Sequence, residues 1–425
     1  MKRVEEALRK AIACGNLIDK TKIALGAGED EEEQEGRICH HLHPYRNAPS
    51  PTLTLTLTLT LDCPAGYDEE AMNNELLLQE MRWLSAARQM LALLYCQGGR
   101  DADAKKHLLA EGFRWRLTSR VLNYSNNTQG DENALVGGRR AAAALDRALP
   151  QHYLQHLQLV FAASSPFWRE HSYDVLANSS RTAGYFSYLY PLRERQAKCS
   201  IEHIIDYLYR TVVTSLFPEA AAGCSVAEWW VHTRPHSSGH QLHFDSDETR
   251  TQSTGVAAHP LVSLVVYVNE CSELVGGPTL ITDQTLPSQR LANKGWLCFP
   301  KRNRVLAFDA RYLHGVIPGK GLNPSPSDRR LSFMVGFWSS IQSTQRSNGL
   351  AGPGQHLPHE DSGLQWPTLM TGLDTSVPAA DSSTATPASL VPVEEVWEAV
   401  DRSCVATAIM LSKVKLPHVD QMFQF

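Results

Sequence analysis

Along the chain the spacing of hydrophobic positions changes in character near residue 225. Between residues 68 and 122, Leu76, Leu77, Met81, Leu84, Met90, Leu91 and Leu94 recur near helical spacing, and Asp101 is predicted to begin a second helix. A polar break from Asn123 to Gly138 precedes the Ala/Leu-rich run Ala141–Ala163, also predicted helical. Gly184–Tyr190 reads as a strand and Ile201–Phe217 as a helix. From Val226 to Trp338 the texture is short β-rich runs punctuated by Gly, Pro, Asn and Asp: VAEWWVHT, HQLHFD, HPLVSLVVYVN, GPTLITD, GWLCFP, RVLAFDA, LHGVIP and RRLSFMVGFW. Eight short strands with turn signals between them predict a sandwich, barrel or jelly roll, with the helices of 68–220 bracing one face of its major sheet.

The ends of the chain read differently. Residues 3–25 form a short amphipathic helix pattern, followed by the acidic run Glu29–Glu35, the cluster His40-His41-Leu42-His43 and a strict Thr-Leu alternation from Thr52 to Leu61. The alternation has a strand period, but its regularity and Pro-rich flanks favour a poorly ordered low-complexity linker. After Ser340 the chain is rich in Ser, Pro, Gly and Thr to about Val391, a disordered composition, and Val393–Leu411 reads as a final helix. The expected organisation is therefore an N-terminal helix and linker over 1–66, a mainly helical support region over 67–220, the strand-rich domain over 221–340 and a Ser/Pro-rich tail over 341–425.

Composition narrows the function classes. Hydrophobic residues make up 43% of the 425 and charged residues 20%, ordinary globular values. A net charge of -5 without a Lys/Arg run argues against a nucleic-acid binder. Nine scattered cysteines, an odd number with no CxxC pair, fit reduced thiols. With no signal-like N-terminus and no apolar run of bilayer length, the expectation is an intracellular, cytoplasmic protein without a membrane partner.

The candidate chemistry begins at His243-Phe244-Asp245. Residues i and i+2 share one face of a strand, so both side chains are able to address one centre. His314, 71 residues further on at the start of another predicted strand, supplies a third ligand. Two imidazoles and one carboxylate on one face of an octahedron leave open positions for a co-substrate and O2, the 2-His-1-carboxylate arrangement of non-haem iron oxygenases. A surface strand pair and a core histidine bonded to backbone are the competing readings. Arg330 and Ser332 share a face of the last strong strand, where a guanidinium fork suits a carboxylate. His240 is set aside because its spacing to Asp245 has the wrong parity. His232, His236 and His259 read as loop or supporting residues, and Trp229, Trp230 and Tyr185 as core or pocket-lining aromatics.

Taken together, His243, Asp245, His314, Arg330 and Ser332 form an H-x-D…H…R-x-S set. With Val266–Asn269 and Gly276–Leu280, it resembles the Fe(II)/2-oxoglutarate-dependent dioxygenase superfamily, within it the prolyl-4-hydroxylase-like group. The resemblance covers roughly residues 180–340. It implies an α+β protein with a double-stranded β-helix (jelly roll) core, iron(II) held by His243, Asp245 and His314, and 2-oxoglutarate held by Arg330, Ser332 and Tyr267. It also implies ascorbate as an assisting reductant and hydroxylation of a protein prolyl residue or a small molecule through an iron(IV)-oxo species, with release of succinate and CO2. Two departures stand out: the 16-residue step from His314 to Arg330, and Arg329 as an alternative carboxylate partner. A metal-binding jelly roll without turnover is the alternative function, and a zinc- or manganese-dependent cupin-type enzyme a third.

Overall fold

The computed structural model describes residue 9 and residues 69–124, 130, 134–173, 186–193, 196–269, 275–286, 291–321, 329–341, 354–358, 363–372 and 385–401, the side chains of 69–82, 248, 249 and 252 excepted. The His40–His43 cluster, the Thr-Leu alternation and Tyr185 lie outside these residues. In chain order come α1 (Glu69–Gln97), α2 (Asp101–Ala110), β1 (Trp115–Leu117), α3 (Ser119–Leu122), β2 (Ala134–Val136), β3 (Arg139–Asp146), α4 (Gln151–Val160), α5 (Pro166–Glu170) and β4 (Tyr188–Pro191). Then follow α6 (Ser200–Leu208, prolonged by a π turn to Val213), α7 (Pro218–Gly223), β5 (Val226–Pro235), β6 (His240–His243), α8 (Glu248–Thr254), β7 (Val262–Tyr267) and β8 (Thr279–Thr285). The last strands are β9 (Lys294–Cys298), β10 (Arg304–Phe308), β11 (Tyr312–Val316), β12 (Arg329–Trp338), β13 (Thr386–Ala388), β14 (Val391–Glu394) and β15 (Trp397–Ala399). Among the described residues, no helix is long and apolar enough to cross a membrane.

The protein is α+β, with antiparallel sheets. The major sheet runs β13-β3-β10-β7-β12-β5-β4, with β2 beside β3, and the smaller one runs β14-β9-β8-β11-β6. Strict period-two alternation decides the layers. On β12, Phe333, Val335 and Phe337 point outward with Trp229 and Val231 of β5, into a core shared with Leu154 and Leu157 of α4, Trp168 of α5 and Ile204 and Ile205 of α6. The smaller sheet sends Leu242, Leu280, Leu297 and Leu313 outward against Leu91 and Tyr95 of α1 and Leu108 of α2. The helices therefore cover both sheets, α4 to α6 one and α1 with α2 the other. Between the sheets, Ala142, Ala144, Leu306 and Phe308 meet Ile281, Trp296, Cys298 and Tyr312.

Two expectations need correction. Ala141–Ala163 is not one helix: Arg139–Asp146 is β3, paired with β10 and β13, and α4 starts only after Pro150. The alanines have high helix propensity, but burial in a sheet outweighs it, and their small side chains leave room opposite Phe308 and Leu306. The tail also carries order where a disordered segment and a helix from Val393 were expected. Residues 386–388 extend the major sheet, 391–394 the smaller one, and 397–399 pair with β1. Val393, Val396 and Trp397 are buried against α1 and α2. Contact with the sheet edges fixes residues whose local composition does not.

Candidate metal centre

The candidate ligands come from the smaller sheet and the loop that leaves it. In the antiparallel ladder His314 of β11 is the direct cross-strand partner of His243 of β6, so pairing alone sets the two imidazoles side by side, ring centroids 4.4 Å apart. Gly315 makes this close approach possible, because a Cβ there would meet the His240 carbonyl at 2.9 Å. Asp245 lies just past the end of β6. Its position is secured from outside the strand: Ser263 Oγ of β7 donates to Oδ2 at 2.6 Å, and His259 Nδ1 donates to its backbone carbonyl at 2.7 Å.

Each imidazole is fixed as a ligand requires. His243 Nδ1 lies 2.8 Å from the Gln241 carbonyl and His314 Nδ1 lies 2.9 Å from that of Tyr312. A carbonyl only accepts, so Nδ1 carries the proton and Nε2 presents its lone pair. Both Nε2 atoms face Asp245 Oδ1, at 3.5 and 3.6 Å. The three ligand atoms all lie within 4.8 Å of one another, the separation one metal ion needs. Burial acts to lower the His243 pKa, but the Asp245 carboxylate and the Gln241 carbonyl outweigh it and hold it above its ordinary value. Burial acts to raise Asp245, yet His314 and His243 pull its carboxyl well below the usual range. The donor set, the tautomers and the charge balance fit a divalent cation.

Arg330 and Ser332 open into the same cavity from the major sheet. Arg330 is 4% exposed. It donates to the Gly277 carbonyl at 3.1 Å, to Thr279 Oγ1 at 2.8 Å and to Ser332 Oγ at 3.3 Å. Among the described residues no carboxylate pairs with it, and burial lowers its pKa. Gly276 and Gly277 are required here. Gly276 has φ +84 with a would-be Cβ 3.0 Å from Arg330 Cδ, and at Gly277 a Cβ would fall 2.1 Å from the Ile317 carbonyl. His236 pins this glycine segment by accepting from Gly276 N at 3.0 Å. Arg329 faces away, donating to Thr233. Tyr267 is fully buried behind Thr279, its hydroxyl 2.8 Å from Thr279 Oγ1 and its ring 5.1 Å from the Arg330 guanidinium carbon.

The remaining cavity wall brings in residues that sequence reasoning set aside or passed over. His240 does reach the cavity, its ring 4.7 Å from His243. The irregular register between β6 and β11, where His240 pairs with Val316, restores an orientation that regular parity denies. Trp230, His232 and Arg234 of β5 line the cavity as well, whereas Trp229 packs outward. The period-two row Trp230, His232, Arg234 was the signal for Arg234. Ser263 and Thr279, which hold Asp245 and Arg330, had no comparable mark.

No protein-family model and no curated protein matches the chain. Solved structures similar to it include a prolyl-4-hydroxylase from Pseudomonas putida, at 13% identity over 47% of this chain and 87% of that one, with a TM-score of 0.28. An oxidoreductase of the 2OG-Fe(II) oxygenase family from Burkholderia pseudomallei is similar at 14% identity, over 50% of this chain and 89% of that one, TM-score 0.28. HygX from Streptomyces hygroscopicus, with nickel and 2-oxoglutarate bound, is similar at 11% identity, over 51% and 91%, TM-score 0.27.

Proposed function

We propose that this chain is an Fe(II)- and 2-oxoglutarate-dependent dioxygenase of the prolyl-4-hydroxylase-like group. Its core is read as a double-stranded β-helix, because β5 to β12 cross between the sheets at every step but β8 to β9, so that β10-β7-β12-β5 lies in one sheet and β9-β8-β11-β6 in the other. One observation carries the function: two Nε2 lone pairs and one carboxylate oxygen converge on a point in the cavity that also holds a buried guanidinium with no carboxylate partner among the described residues. A 2-His-1-carboxylate set with open positions suits non-haem iron(II). The unmatched cation suits an acid co-substrate bound beside it.

His243, Asp245 and His314 would hold iron(II). Arg330 binds the far carboxylate of 2-oxoglutarate, with Ser332 and Thr279 adding hydroxyls at its rim. Tyr267 is a positioning residue that acts through Thr279 and stacks beside the guanidinium. When bound, iron supplies O2 activation coupled to decarboxylation, so that 2-oxoglutarate, O2 and a C–H substrate give succinate, CO2 and a hydroxylated product. Leu264, Val265, Phe308, Val316 and Met334 make the rest of the wall largely apolar and limit the water that reaches the site.

The test is succinate release from 2-oxoglutarate by the full chain with iron(II), ascorbate and O2. The wild type is expected to turn over slowly without added substrate, and Asp245→Ala and His314→Ala to fall to the background of iron in buffer. Tight metal binding with no 2-oxoglutarate binding in the wild type would leave only a metal-binding module.

A further inference from the structure

We infer that His232, Arg234 and His240, walled by Trp230, form a second anion-recognising subsite beside the metal centre, and that the molecule oxidised carries a carboxylate or phosphate group held there. The inference rests on the iron and 2-oxoglutarate reading and adds the substrate class to it. The placement follows from the ladder. β5 runs beside β12 with Arg234 opposite Arg330, His232 opposite Ser332 and Trp230 opposite Met334. From the metal outward, the imidazoles form a row: His240 stands 4.7 Å from His243, and His232 5.6 Å from His240, ring to ring.

This row is built for a ligand rather than for the fold. Arg234 Nε and His232 Nδ1 are buried atoms with no hydrogen-bond partner. Such atoms cost stability unless something completes them. Like charges directly opposite on neighbouring strands also repel, and Arg234 faces Arg330 with no acidic residue paired to either among the described residues. Asp245 is the single carboxylate among the cavity-lining residues, and it is matched to His243 and His314.

Charge counting then gives the sign of the missing partner. Iron(II) and the 2-oxoglutarate dianion cancel, Asp245 cancels one guanidinium, and one guanidinium remains. His232 and His240 line the same cavity, and each imidazole carries at least one N–H donor. A fork-shaped guanidinium with imidazole N–H donors in the same cavity suits a carboxylate or a phosphate.

The experiment uses the full chain loaded with manganese(II), which binds without turnover, and reads binding by calorimetry. 2-Oxoglutarate is titrated first; inorganic phosphate and acetate are then titrated separately into the metal–2-oxoglutarate complex. The wild-type complex is expected to bind at least one of the two anions, and the stronger one names the group. Arg234→Gln should weaken that anion at least tenfold while leaving 2-oxoglutarate affinity within about threefold. Arg330→Gln should do the reverse, and Arg234→Lys, which keeps the charge, should retain part of the anion affinity. The inference is overturned if neither anion binds the wild-type complex, if Arg234→Gln leaves anion binding unchanged, or if it lowers 2-oxoglutarate affinity as far as Arg330→Gln does, which would make Arg234 a second arm of the co-substrate clamp. Absence of 2-oxoglutarate binding in the wild type is a separate readout and would remove the underlying reading first.

Discussion

The space between the two sheets has two ends, which share β8 and β11. At one end β10, β8, β9 and β11 contribute Leu306, Ile281, Trp296, Cys298 and Tyr312, closed by the alanines of β3. At the other, two residues along the same inward-facing rows, β8 contributes Thr279 and β11 contributes His314, facing Arg330 and Ser332 of β12 and Arg234 of β5. Both ends obey the same alternation. One is filled with side chains that gain from leaving water; the other holds ionisable groups that lose by it. Packing therefore dominates the first end and the candidate site occupies the second, and the chemistry changes within one inward row.

The largest effect expected from breaking this contrast lies at the packed end. Trp296 is 5% exposed in that core. Trp296→Ala should cost about 3–5 kcal/mol in urea unfolding, the usual penalty for emptying an aromatic site, with manganese affinity of the folded protein nearly unchanged. A cost under about 1 kcal/mol would show that the two ends do not divide the work, since such a loss is typical of surface positions.

At the polar end a smaller change should act on the metal rather than on folding. Ser263 Oγ donates to Asp245 Oδ2 at 2.6 Å, the contact that holds a candidate ligand lying beyond its strand. Ser263→Ala should lower metal affinity about 10–100-fold, as loss of a hydrogen bond behind a ligand generally does, read by competition with a chelator. Unchanged affinity would mean that the backbone contact from His259 positions Asp245 by itself.

The eight β-rich runs of 226–338 correspond to β5 to β12, because two-period alternation with turn residues is a local signal that the sheets preserve. The residues named as ligands do lie together. What escaped had non-local causes. Ala141–Ala144 has helical composition and becomes a strand only because β10 and β13 pair with it. The edge strands of the tail are specified by the sheets they join rather than by their own residues. His240 faces the cavity through a register shift, and Asp245 faces it from a loop, so strand parity excluded the first and placed the second for a reason the structure does not use. Arg234 stood in a legible row, but only the register shows it directly opposite Arg330 on the neighbouring strand.

The sharpest form of the comparison is a substitution whose effect on stability should be the smallest. Arg330 is a buried cation with three neutral hydrogen-bond partners and no counter-charge among the described residues. Its hydrogen bonds are worth about 1.5–3 kcal/mol each, as bonds to charged groups are, while desolvating an ion costs several kcal/mol. The two nearly cancel, so Arg330→Met, which fills similar volume with apolar atoms, should leave stability within about 1 kcal/mol in urea unfolding. Ligand linkage separates the two proteins. With manganese(II) present and 2-oxoglutarate at about a hundred times its Kd, the wild type should gain about 2.7 kcal/mol, whereas Arg330→Met should gain nothing from 2-oxoglutarate and keep its response to the metal. A loss above about 3 kcal/mol without ligand, or an undiminished response to 2-oxoglutarate, would place Arg330 with the packed end and leave the polar end without its anchor for the co-substrate.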